Sequence, residues 1–332
     1  MPNETSFISR ANLSGLIPEP VAREIMQGAV ENSAVLRVGR RLPNMTSGTQ
    51  SINVLDMLPT AYFVDGDTGF KQTSSQAWTK KKLYAEEVAV IIPIPEAVLA
   101  DSNYDIWGEV RPRISEAMGK TIDQAILFGV GAPSTWRDSI VDTADAASMI
   151  VEYDDTTDDL YQKLLGVDGL LAEVEENGYN VTRILSDISM RAKLRGLVDD
   201  NKQPIFMATM QQNANYALDG TPLDFPMNGA WDKTKALMIA GDFSQLVYSI
   251  RQDVTFKVLT EATIVDPTTK AVVYSLAQQD MVALRAVMRL GWEIPNPVSA
   301  YRSELESYSP FAVFATEGAG GATGATGATG NG

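Results

Sequence analysis

Residues 102–128, SNYDIWGEVRPRISEAMGKTIDQAILF, carry the clearest pattern in the chain. Ile106, Val110, Ile114, Met118, Ile122 and Ile126 recur at every fourth position, with Ala117, Thr121 and Ala125 one position behind them. That spacing belongs to one face of a helix and not to a strand. Ser102 with Asp105 three positions on reads as a capping-box-like start, and Gly129-Val130-Gly131 as the stop. At about 1.5 Å per residue such a rod is roughly 40 Å long, enough to span a subunit. Pro112 inside it is expected to forfeit a hydrogen bond and bend the axis, while Gly119 lets another backbone come close.

The chain around this spine has 332 residues, 45% of them hydrophobic, which is ample for a real core in one large or two intertwined domains. Its 27 basic and 42 acidic residues leave a formal charge of −15, which argues against a basic face that grips nucleic acid. There is no cysteine and no histidine, so disulfides, thiol nucleophiles, Cys or His metal sites and His-based catalytic dyads are all excluded. The N-terminal MPNETSFISRANL lacks the basic-then-apolar order of a secretory leader. The apolar run from Val88 to Ala100 is short and is broken by Pro93 and Pro95, so no membrane-spanning helix is expected. A soluble, cytosolic chain is the expectation.

Taken in order, a polar arm and Pro18-Glu19-Pro20 precede VAREIMQGAVENS, which has helical spacing. VLRVGRRL and QSINVLDML read as strands separated by the turn cluster 43–48. Residues 60–93 form a long excursion: AYFV, the turn-rich DGDTG, a polar linker, then AWTKKKLYAEEVAVII returning as one strand. The outer part of that hairpin has no evident apolar face, and exposed edges recruit other chains, so it is expected to lie on a neighbour. After the spine, 131–147 reads as a loop and DLYQKLLGVDGLLAEVEENG as a helix capped at Asp158 and stopped at Gly178. VTRILS reads as a buried strand, followed by a Ser186-capped helix and a strand-like PIFM. TPLDFP, ALMIAGDF, QLVYSI, VTFKVL and AVVYSL are short strands, so the second half is sheet-rich. Arg285 and Arg289 in MVALRAVMRLGWE share a face whether that stretch is strand or helix. The closing GAGGATGATGATGNG is low in complexity and has too few triplets and no proline for a collagen helix, so it reads as a flexible tail.

Three motifs bear on chemistry. Gly129-Val130-Gly131 follows a helix, whereas a dinucleotide loop must follow a strand, so it is a helix stop. Asp154, Asp155, Asp158 and Asp159 lack the glycine and terminal glutamate of a calcium loop and fit a solvated helix start. Lys80, Lys81 and Lys82 beside Trp78 and Tyr84 are a weak footprint for nucleic acid and a better one for the carboxylates of a neighbour. Trp78, Lys80, Lys81, Lys82, Arg285 and Arg289 are therefore the candidate subunit-interface residues. No catalytic, cofactor or metal residue is expected.

The order AWTKKKLYAEEVAVIIPIPEAVLADSNYDIWGEVRPRISEAMGKTIDQAILFGVG resembles the tailed-bacteriophage major capsid proteins, with the turn Ile94 to Ser102 before the spine and Asp123, Ala125, Gly129 and Gly131 at its end. LRGLVDDNKQPIF, LDGTPL, GDFSQLVYSIR and LRAVMRLGWEIPNPVSAYR follow in the family's order, so the resemblance runs over residues 20–310. It implies an α+β, Hong Kong 97-like fold. The implied parts are an N-terminal arm at 1–33, an extended hairpin loop at 60–90, a peripheral domain of 34–59, 91–132 and 241–292, an axial domain of 133–240 and 293–316, and the tail at 317–332. The implied function is a shell subunit of pentamers and hexamers around a double-stranded DNA genome, located in the virion and assembled in the host cytoplasm. Implied partners are other copies of itself, a portal, a decoration protein and non-specifically held DNA, with no membrane and no cofactor. Only residues 1–33 precede the body, which points to a separate scaffold protein or none. Some relatives weld subunits by a lysine-to-asparagine bond; Lys71 has the donor's location, but no asparagine lies between Asn228 and Asn296. An encapsulin-type nanocompartment shell is the alternative of the same fold, and a histidine-free α/β enzyme is the alternative of another class.

Overall fold

The computed structural model of the chain describes residues 33–64, 70–71, 73–101, 105–197, 216–266, 268–301 and 308–318. The expected arm helix, the PIFM strand and all but the first two residues of the expected tail lie outside them. The first half of the chain gives α1 (Ala34–Val38), β1 (Arg40–Arg41), β2 (Thr49–Met57), β3 (Ala77–Tyr84), β4 (Glu86–Pro95), α2 (Glu96–Asp101) and α3 (Ile106–Phe128). Then come α4 (Ile140–Ala146), β5 (Ile150–Tyr153), α5 (Leu160–Leu165), α6 (Leu170–Glu176), β6 (Arg183–Ser186) and α7 (Met190–Arg195). The remainder is strands: β7 (Ala217–Leu218), β8 (Thr221–Asp224), β9 (Met238–Gly241), β10 (Val247–Leu259), β11 (Thr263–Val265), β12 (Val272–Ser275), β13 (Met281–Glu293) and β14 (Phe311–Thr316).

The spine helix is α3, and it starts later than the sequence suggests. Asp105 is its N-cap and accepts a hydrogen bond from the Gly108 N–H, while Ser102 lies outside the described residues. Gly129, with φ of 71°, closes the helix through a hydrogen bond to the Ala125 carbonyl. Pro112 stands within the helix. Ile114, Met118, Ile122 and Ile126 are buried as expected, but Ala117 and Thr121 face solvent. Toward its C-terminus the helix is buried almost all round, from Ala125 to Phe128.

Two sheets flank the spine in one continuous core. The first has the order β1-β10-β13-β4, and its two 13-residue strands β10 and β13 run antiparallel with bulges between Ile250 and Thr255. Alternation along β13 turns Leu284, Ala286, Met288, Leu290 and Trp292 into the core and leaves Arg285 and Arg289 on the other face. The second sheet has the order β5-β14-β9-β6-β8-β7, with α4 and α6 packed on β14. Two ribbons, β2-β3 and β11-β12, project from these layers.

Several local expectations change. The first half of VLRVGRRL belongs to helix α1, held by a Ser33 cap, and only Arg40 and Arg41 are strand. The expected loop 131–147 contains α4, whose cap Ser139 accepts from the Asp142 N–H. The single helix expected from Asp158 is two, capped at Asp159 and at Gly169. Gly166 and Gly169 break it, and a Cβ at Gly166 would come 2.4 Å from the Gln162 carbonyl oxygen. Ser186 caps nothing: it is buried in β6 with its hydroxyl donating to the Leu237 carbonyl, and the next helix starts after Ser189. The long returning strand is divided at Ala85 into β3 and β4, which join different sheets. QLVYSI and VTFKVL are one strand, β10.

Candidate functional site

Antiparallel pairing sets the two faces of the β2-β3 ribbon. Leu55 lies opposite Trp78, Asn53 opposite Lys80, Ser51 opposite Lys82 and Thr49 opposite Tyr84. Trp78, Lys80, Lys82 and Tyr84 are exposed on that face, Trp78 by 63%. The other face carries Thr79, Lys81 and Leu83, and Leu83 is buried with Met45 and Ala85 in a small separate core. Three consecutive lysines on a strand cannot share a face. Lys81 turns inward, where its ammonium donates to the Ile294 carbonyl at 3.3 Å.

The base of this ribbon is clamped to the body. The Val298 N–H donates to the Leu55 carbonyl at 3.1 Å, and Trp136 Nε1 donates to the Tyr84 carbonyl at 3.1 Å. Trp136 in turn packs edge-to-face on Trp292. Arg137 pairs with Glu293 at 2.7 Å and also donates to the Ile294 carbonyl, the same oxygen that Lys81 uses. The segment 294–298, which leaves β13 toward β14, therefore holds the ribbon in place.

Beyond the clamp the ribbon carries apolar side chains that the sequence reading did not single out. Phe63 is fully exposed and Phe70 is 95% exposed, with Tyr62 and Val64 exposed beside Phe63. The signal was the pair of phenylalanines flanking DGDTG. Isolated apolar side chains on a surface are ordinary, but two aromatics this bare on one extension are the chemistry of an interface anchor.

A second, partly open surface is the face of the four-stranded sheet turned away from the main core, where Lys257, Arg285 and Ile91 are exposed but Ala283, Val287 and Gly291 are buried. Across the strands Lys257, Arg285 and Ile91 lie in one row, and Gln252, Arg289 and Glu87 in another. No ion pair with a described residue engages Lys257, Arg285 or Arg289, and the Arg289 Nε is buried without a partner. At the far end of the same strands the β11-β12 ribbon exposes Val265, Val272, Val273 and Tyr274. The candidate residues thus fall into three groups. Trp78, Lys80 and Lys82 are on an exposed ribbon face, Lys81 is directed inward, and Arg285 and Arg289 are together on the open sheet face.

The acidic stretch after β5 is consumed locally. Asp154 accepts from Thr156 and Thr157, Asp158 accepts from the Asp154 N–H, and Asp155 pairs with Lys193 at 2.6 Å. These hydrogen bonds hold the Asp154 carboxyl below its usual range, and Lys193 does the same for Asp155. Burial, with Asp155 beside it, pushes the Tyr153 hydroxyl up to about 12. Among the described residues no cluster of acidic side chains has the geometry of a metal site, and no helix is long and apolar enough to cross a membrane.

The profile of the phage capsid family matches residues 14–300. The major capsid protein of Staphylococcus phage 80alpha is 25% identical over 294 residues, which cover 88% of this chain and 86% of that protein. Among solved structures, a chain from Microbacterium phage Oxtober96 is 37% identical with a TM-score of 0.80, covering 94% of this chain and 100% of its own. A chain from Mycobacterium phage Bobi is 30% identical with a TM-score of 0.79 and the same coverage.

Proposed function

The chain belongs to the phage capsid family, and we infer that it is the major capsid protein of a tailed bacteriophage, a non-enzymatic subunit that assembles with copies of itself into an icosahedral shell. The observation that carries this is the family match over residues 14–300 in a chain whose fold has the same Hong Kong 97-like form. Expression of the chain alone, or with its phage's accessory proteins, followed by cryo-electron microscopy tests it. Closed shells are expected; particles filled with a protein cargo, or no particles under either condition, overturn it.

The finer assignments are proposals. We propose that the shell is built of hexamers and pentamers and encloses double-stranded DNA, that assembly takes place in the host cytoplasm, and that a portal, a scaffold and a decoration protein are the further partners. The four-stranded sheet with α3 is proposed as the peripheral domain and the six-stranded sheet as the axial domain. The division of the returning strand at Ala85 favours ending the extended hairpin there.

Trp78, Lys80 and Lys82, with Phe63 and Phe70 further out, are proposed to contact a neighbouring copy. The open sheet face with Arg285 and Arg289 is proposed as a surface that receives one. Support comes from the exposed aromatics, from cations without an ion-pair partner among the described residues, and from a net charge of −15 that makes the surface of any second copy acidic on average. A shell repeats such head-to-tail contacts around closed rings, so each subunit needs both a projecting and a receiving surface.

A further inference from the structure

Asp123 lies in the second half of α3 with its side chain fully buried. Its Oδ2 accepts from the Ala34 N–H at 2.8 Å and from Asn228 Nδ2 at 2.6 Å. Its Oδ1 accepts from the Val35 N–H at 3.2 Å and from the Ser33 hydroxyl. The two donor segments are about 90 and 105 positions away along the chain, on opposite sides of it in sequence.

A carboxylate is an expensive way to fill a helix interface. Removing it from water costs several kcal/mol, and apolar side chains of similar volume often do as well or better. Among the described residues no cation is a partner; four neutral donors hold it, and burial raises its pKa above the ordinary range against their pull. The return is what those donors belong to. Ser33, Ala34 and Val35 form the cap and first turn of α1. Asn228 lies in the connection between β8 and β9 of the six-stranded sheet, where its own Oδ1 accepts from the Ala230 N–H at 3.1 Å.

We infer that Asp123 is a positioning residue that couples the seat of α1, from which the chain runs back to its N-terminus, to the seat of the six-stranded sheet on α3. A displacement at either end changes the geometry of a carboxylate that the other end also needs. The coupling belongs to the single subunit and does not depend on the shell reading.

Amide hydrogen exchange on the unassembled full-length subunit tests it. Asn228→Ala removes one donor to Asp123, and Asn228 has no hydrogen bond to α1. The expected result is that the Ala34 and Val35 amides exchange about tenfold faster while the strands of both sheets keep their protection. Unchanged exchange at those two amides, or a uniform loss over the whole subunit, overturns the coupling. Asp123→Leu, which fills a similar volume and has no acceptor, supplies the second arm. In that background Asn228→Ala is expected to have no further effect on α1; if the effect persists, the two ends communicate by another route and the inference is wrong.

Discussion

Gly291 lies flush against the backbone of Tyr84: a Cβ added at Gly291 would stand 2.5 Å from the Tyr84 carbonyl oxygen and 2.9 Å from its carbonyl carbon. The same oxygen accepts the Trp136 indole N–H, so the base of the projecting ribbon is fixed by one close approach and one hydrogen bond at a single residue. A backbone obstacle cannot swing aside as a side chain can.

Gly291→Ala is therefore expected to push the ribbon base outward and to cost about 1 to 3 kcal/mol, as overpacking does. Denaturant unfolding of the unassembled subunit measures the cost, and tryptic cleavage after Lys80 and Lys82 reports the loosened ribbon. Unchanged stability together with unchanged cleavage would show that Tyr84 yields freely.

How far the sequence disclosed these parts depends on whether the information was local. The end of α3 at Gly129 and the shared face of Arg285 and Arg289 were legible because period and cap lie within a few residues. The start lies at Asp105 and not at Ser102 because the Asp105 carboxylate itself accepts from the Gly108 N–H, and two good caps three residues apart leave the choice open in sequence. Helix α1 reads as strand in the sequence because Val35 and Val38 favour strands, while the donors of its first turn are satisfied by Asp123 from far along the chain. The helix α4 was legible and missed, since Ser139 and Asp142 form a reciprocal cap. Strand alternation alone would have turned Lys81 away from Lys80 and Lys82; the carbonyl it meets could not have been foreseen.

The pH dependence of Asp123 has a definite sign. Its pKa is raised on folding, with burial the largest cause, so the folded state holds this proton more tightly than the unfolded state does. The penalty for the buried charge is complete above the raised pKa, is relieved as pH falls through it, and is gone below the ordinary carboxylate value of about 3.9. Asp123→Asn has no such proton. The stability of the wild type relative to Asp123→Asn is thus expected to grow on acidification from pH 7, measured on unassembled subunits. A gap that shrinks on acidification would mean that the four hydrogen bonds outweigh burial.

Lys71 is exposed on the outer ribbon, and no asparagine lies between Asn228 and Asn296, so β10 to β13 carry no acceptor for a lysine-to-asparagine bond. Asn296 itself is buried, its Nδ2 donating to the Tyr308 carbonyl at 2.7 Å. Particles boiled in detergent are expected to run as a single band at the 36.0 kDa of the chain. A ladder of covalent multimers that disappears in Lys71→Ala would show an acceptor of another kind.

The outer ribbon offers the sharpest separation of folding from assembly. Met57 pairs with Ala77, so residues 58–76 can be replaced by an Asn-Gly turn without touching the pairing of β2 with β3. The inward Lys81, the buried Leu83 and the Val298 bond to Leu55 all lie on the retained side. Among the described residues that are lost all but the half-buried Leu58 are exposed, including Phe63 and Phe70, and exposed changes ordinarily alter stability by no more than about 0.5 kcal/mol. The shortened subunit is expected to keep its melting temperature within a few degrees and to form no shells by electron microscopy. The milder double variant Phe63→Ser, Phe70→Ser, which keeps the length of the ribbon, is expected to reduce shell yield at unchanged subunit stability. Normal shells from the shortened chain would remove the ribbon from the interface altogether, whereas normal shells from the double variant alone would leave the length and hydrogen bonding of the ribbon, and not its two aromatics, as what a neighbour recognises.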